Sequence, residues 1–137
     1  MKPILFAANA TNFTTNGLGQ LDPTSCVVTE ERNGQYELIC VVPVDSVHYS
    51  DIENNMILAV VPGDGMNIQA FRIYQITEPM NGLVAIAARH ISYDLSYNTV
   101  MPFEAASCTA ALSGLESHVV ESNLFDTWTD KSVVQNF

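Results

Sequence analysis

At 137 residues with 47% hydrophobic side chains, the chain can bury the core of one ordinary globular domain, or of one domain and the start of another. Five basic against fifteen acidic side chains leave a formal net charge of -10, which disfavours an electrostatic grip on nucleic acid. No apolar run approaches the roughly 20 residues of a membrane span, and the apolar stretch Ile4 to Ala8 is too short for a signal-peptide core, so the chain is expected to be made and kept in a cytoplasm until something else exports it.

The first strand is expected over residues 3–7. Residues 9–20, rich in Asn, Thr and Gly, come next as a loop. Residues 24–32 and 35–42 then read as the arms of a β-hairpin around Asn33-Gly34, a pair suited to the positive φ angles of a type I′ turn. Two registers remain open. A two-residue Asn-Gly loop pairs position 26 with 41, whereas a three-residue loop with a bulge sets Cys26 opposite Cys40. On the second arm Tyr36, Leu38, Cys40 and Val42 share one face and Glu37, Ile39 and Val41 the other, so its inner end is expected to be buried on both sides. Pro43 closes it.

Residues 44–55 read as a loop with one helical turn, and residues 56–61 as a strand stopped by Pro62-Gly63-Asp64-Gly65. A second hairpin is expected from residues 67–77 and 83–90, turning at Pro79-Met80-Asn81-Gly82 through either a four-residue loop or a tight Asn-Gly turn. Phe71, Ile73, Gln75 and Thr77 alternate with Arg72, Tyr74 and Ile76, while residues 83–88 are apolar enough for a strand covered on both faces. Ser92 is placed to cap a short helical turn ending at Asn98. Residues 107–118 carry Ala110, Ala111, Leu112 and Leu115 at helical spacing behind Ser107 as cap. A last hairpin is expected from residues 125–129 and 132–137. The fold class is mainly β (α+β): five or six strands in an antiparallel barrel or curled sheet over residues 1–100, then a helix and hairpin over 101–137 that begin a second domain, with the natural chain expected to continue.

No arrangement of residues makes a catalytic, cofactor or metal site. His48, Asp51 and Glu53 have ligand-type side chains in a spacing that matches no metal pattern, and a solvated surface is the stronger reading. His90 and Asp94 lie four apart across a strand end, where the imidazole is better suited to fixing the chain reversal than to catalysis. Cys26, Cys40 and Cys108 show no CxxC or Cys/His spacing; they read as small buried apolar residues kept as thiols in a reducing cytoplasm. There is no GxSxG, the glycines of GLGQ (17–20) and GDG (63–65) are turn residues, and Glu30 and Glu31 point to opposite strand faces. Tyr93, Tyr97, Phe103, Phe125 and Trp128 offer an aromatic recognition surface or, more simply, subdomain packing.

Several segments taken in order, GLGQLDPTSC (17–26), VTEERNGQYEL (28–38), FRIYQITEPMNG (71–82) and ARHISYDL (88–95), resemble the N-terminal region of the tail-associated lysin, or prophage tail endopeptidase, family of phages of Gram-positive bacteria. The resemblance runs from Pro3-Ile4-Leu5 to Trp128-Thr129-Asp130-Lys131. It implies a baseplate-hub-like structural protein of the tail tip: a homotrimeric ring of paired barrel-like domains, meeting the distal tail protein and the tail tube or tape-measure proteins. The ring would be assembled in the bacterial cytoplasm and carried in the virion, with no specific nucleic acid binding and no membrane partner. On this resemblance the acidic surface suits the lining of a DNA-conducting tube. The endopeptidase label of the family does not transfer, because no residue here matches a lytic motif; the expectation is a non-enzyme without cofactor. The alternatives are a cell-wall hydrolase with unrecognised catalytic residues and a glycan-binding module using the aromatic side chains.

Overall fold

The computed structural model describes residues 1–121, 125–127 and 129. The chain divides into two compact units, Met1–Ile91 and Ser92–Phe137. The first unit is a curled, wholly antiparallel seven-stranded sheet that forms a half-barrel. Its strands are β1 (Ile4–Phe6), β2 (Gly19–Gln20), β3 (Ser25–Glu30), β4 (Tyr36–Pro43), β5 (Ile57–Val60), β6 (Gln69–Ile76) and β7 (Leu83–His90), in the order β2-β1-β5-β6-β7-β4-β3. One strand exceeds the sequence expectation: β2 arises at the end of the stretch read as loop, where Gly19 and Gln20 pair with Leu5 and Ile4.

The concave face holds the core. Leu5, Leu38, Val42, Leu58, Phe71, Ile73, Val84 and Ile86 are all fully or almost fully buried there, together with Leu21 and Cys40. β5 is buried on both faces, because Ile57 and Ala59 pack on the opposite side with Phe6 and Ala70 beneath Ala10 and Phe13 of the 7–18 loop. Phe6 and Phe13 meet edge to face at 5.4 Å. Arg72 pins this cover from the sheet, donating to the carbonyl oxygens of Ala8 at 3.0 Å and Asn55 at 2.9 Å.

The two Asn-Gly pairs fold differently. At the second hairpin Asn81 and Gly82 both have positive φ, 52° and 76°, and Met80 and Leu83 exchange backbone hydrogen bonds at 2.9 and 3.0 Å: this is the tight type I′ turn. At the first hairpin only Asn33 has positive φ, 58°, and the loop is the three-residue Arg32-Asn33-Gly34, closed by the Glu31 amide donating to the Gln35 carbonyl at 2.8 Å. Of the two loops the sequence left open, the three-residue one forms, with the sign pattern of a type II turn in place of I′. Register explains the choice, because a one-residue slip exchanges the faces of a strand. The observed register turns Cys26 and Val28 to the core, whereas the two-residue loop would turn Ser25, Val27 and Thr29 inward and bury less apolar surface.

Three other expectations are corrected. Between Ile73 and Gln75 the β6–β7 ladder shifts register by a bulge at Tyr74, so Ile76 rather than Gln75 returns to the core face. Strand β7 is not covered on both faces: Leu83 is exposed and Ala85 and Ala87 are half-buried. On β4, Ile39 is exposed and Val41 half-buried, so the outer face of its inner end is open too. Pro43, by contrast, ends β4 as expected; it lies beyond Ser25, the first paired residue of β3, where no partner needs its missing N–H.

A 3-10 helix over Ile91–Tyr97 begins at the last residue of the first unit and is closed by the Asn98 amide on the Leu95 carbonyl at 3.1 Å. Helix α1 (Cys108–Ser117) comes after it, with the Ser107 hydroxyl accepting from the Ala110 amide at 3.1 Å as an N-cap. Phe103 lies against Gly114, where a Cβ would meet its ring at 2.2 Å, and stacks on His118 at 4.9 Å. The terminal hairpin expected over 125–129 and 132–137, and with it Trp128, falls largely outside the described residues.

Candidate functional site

Among the described residues of the first unit, three places gather chemistry-bearing side chains. The first surrounds the 3-10 turn Tyr49–Asp51, which brings together two of the loop residues singled out in the sequence. His48, at a left-handed φ of 67°, turns its Nδ1 to Asp51 Oδ2 at 2.9 Å. Its Nε2 edge lies on the backbone of Gly19, so close that a Cβ there would sit 2.1 Å from the nitrogen. Gly19, at φ 153°, is therefore required by the approach of the imidazole and not by a free turn. His48, Asp51 and Glu53 share a shallow depression of about 460 Å³ with Leu18, Ser50 and Met56. Among the described residues no group of three or more His, Cys, Asp or Glu side chains is arranged to hold a metal ion. His48 acts as a clamp: Asp51 orients the ring, and the ring holds the Gly17–Gln20 segment against the body of the sheet.

The second place is a transverse row on the concave face. Glu30, Tyr36, His90 and Phe71 succeed one another across β3, β4, β7 and β6. His90 stacks on Tyr36 at 4.4 Å, meets Phe71 edge-on at 5.5 Å, and bonds Gln69 Oε1 through Nε2 at 3.0 Å. Burial pushes the imidazole below its ordinary value of 6.5, against an opposing pull from the Glu30 carboxylate, and raises the Tyr36 hydroxyl. A neutral imidazole packed between two rings and tied to a side-chain amide closes the edge of a core.

The third is the row Cys26, Cys40, Ile86 and Ile76 across the same four strands, separated from the His90 row by Val28, Leu38, Ala88 and Ile73. Cys40 is fully buried and Cys26 half-buried, and both are free thiols. The hydrogen bond between them lowers the Cys26 thiol, the half-buried partner, below its ordinary value and, with burial, raises that of Cys40. The sequence carried this juxtaposition only as one of two registers.

In the second unit an apolar pocket of about 340 Å³ is lined by Leu95, Val100, Leu115, Val119 and Phe125, with Glu116 and Thr127 at its polar side. Glu116 accepts from both the Thr127 amide and its hydroxyl, which holds the carboxyl below its ordinary value. Of the aromatic residues proposed as a recognition surface, Tyr97 is exposed, Tyr93 half-buried, Phe103 stacked on His118, and Phe125 in the pocket wall.

Outside these rows, the convex face carries Val27 of β3 and Ile39 of β4 directly opposite each other, 55% and 53% exposed. β3 and β2 are the edges of the sheet. Among the described residues no helix is long and apolar enough to cross a membrane. No protein-family model, curated protein or solved structure matches the chain.

Proposed function

We propose that this chain is a structural module of a phage tail tip, a baseplate-hub-like scaffold that joins copies of itself, as a homotrimeric ring, and meets the distal tail and tube proteins. The reading starts from the ordered family-like segments of the sequence. It is supported by one observation above the others: the half-barrel leaves β3 as an edge, and beside that edge lies a solvent-facing pair of β-branched side chains, Val27 and Ile39. An edge offers unpaired main-chain donors and acceptors, and natural sheets that are to remain alone blunt such edges with charge, Pro or a cover. Here the central outward residue of β3 is Val27, with Glu30 only at the end. The two His-centred clusters have structural tasks, closing a loop and a core edge, which suits a scaffold better than a hydrolase.

The test is assembly. Sedimentation of the purified chain should show a concentration-dependent oligomer, and Val27→Lys with Ile39→Lys should return it to monomer without changing its circular dichroism. Antibody against this chain should label the tail end of particles. A chain that stays monomeric at high concentration, or labelling elsewhere on the particle, refutes the proposal.

A further inference from the structure

The cysteine pair is placed for chemistry that the scaffold role does not use. The ladder pairs Cys26 with Cys40 directly, and hydrogen bonding on both sides of β4 settles what kind of pair it is. The Glu31–Gln35 bond makes 31/35 a hydrogen-bonded pair; counting along the strand, 26/40 is a non-hydrogen-bonded one. From the other side, the Val44 amide on the Gly82 carbonyl makes 44/82 hydrogen-bonded, so 40/86 bonds toward β7, again leaving Cys40 with no ladder bond toward β3. Such pairs hold their Cα atoms about 4.5 Å apart with the side chains close, at the short end of the roughly 4.4–6.8 Å that disulfides span. Thr24 locks this register beside the pair, its amide and hydroxyl both donating to the Val41 carbonyl at 2.9 and 3.2 Å. Because β3 is an edge in the unassembled chain, the half-buried Cys26 is then open to a reagent from its free side, while Cys40 is sealed beside it.

We propose that Cys26 and Cys40 are a reversible disulfide-forming site, oxidised by a low-molecular-weight disulfide that enters at the β3 edge. Cys26, as thiolate, attacks one sulfur of the small disulfide; the S–S bond breaks, and the first small thiol leaves with the bonding pair and takes up the proton Cys26 gave. Cys40 then attacks the Cys26 sulfur of the mixed disulfide, forms the cross-strand bond, and expels a second small thiol, which takes up the proton Cys40 loses. Two protein thiols are oxidised by two electrons and one small disulfide is reduced to two thiols. The hydrogen bond that favours the Cys26 thiolate supports this order of attack. A bond that ends on the half-buried Cys26 of an edge strand is open to small thiols, which reverse the same two exchanges. Cys108, in the second unit, takes no part.

Incubation of the folded, full-length chain, diluted to the monomer as checked by sedimentation, with glutathione disulfide should remove two of its three titratable thiols. It should lower the mass by two hydrogen atoms, link the Cys26 and Cys40 peptides in a non-reducing map, and be reversed by dithiothreitol. The Cys40→Ala variant should instead accumulate a stable glutathione adduct on Cys26, and Cys26→Ala should neither cross-link nor take up glutathione at Cys40. A lasting adduct on wild-type Cys26, a link involving Cys108, or three thiols surviving in the native chain would each overturn the proposal.

Discussion

At the scale of single residues, His90 shows how burial converts a titratable side chain into a structural one. Its stacked position on Tyr36 and its bond to Gln69 need the neutral ring, and burial favours that form. Linkage sets the sign of the consequence. With the folded value below the unfolded one, the unfolded chain binds more protons, so stability is full above about pH 6.5 and falls as the pH drops toward the folded value, where the loss saturates. Thermal melts between about pH 7.5 and about pH 5.5 should therefore show a larger drop in midpoint for the wild type than for His90→Gln, which keeps an amide near Gln69 and cannot titrate. Equal drops would remove His90 from the pH response. The sequence pointed to a structural task for this histidine; its stacking on Tyr36 required knowing that residues 36, 71 and 90 share a row.

At the scale of elements, the two Asn-Gly hairpins show that a dipeptide proposes a turn and the flanking faces dispose of it. Gly82 is in a left-handed conformation with open space where a Cβ would be, so its substitution strains only the backbone. Gly82→Ala should cost about 1–2 kcal/mol by the energetics of a non-glycine residue at positive φ, measured by urea denaturation with an unchanged slope. A cost near zero would mean that the I′ turn is not held. The bulge at Tyr74 was legible in hindsight: core residues at 71, 73 and 76 break the two-residue period of a strand by one position, and one inserted residue restores it. The extra residue is put to use on the surface, where the Arg89 guanidinium lies 4.3 Å over the Tyr74 ring while bonding Glu37 at 3.1 Å.

At the scale of the whole molecule, every fully buried hydrophobic side chain among the described residues belongs to Met1–Ile91. A fragment ending at Ile91 should thus unfold in one cooperative transition with a midpoint within about 5 °C of that of the full chain, by calorimetry. Loss of cooperativity would show that the half-barrel depends on the second unit. Strand content, the antiparallel class, the N-cap at Ser107 and the stop at Pro43 were available from local patterning, because alternation, capping and proline chemistry act over a few neighbouring residues. Pairing partners were not. Whether Cys26 faces Cys40 or Val41, whether Ile76 or Gln75 turns inward, and that Gly19 must lack a side chain to admit His48 are settled by contacts between residues far apart in the chain, where the register that buries the most apolar surface prevails over the turn that the local residues would choose.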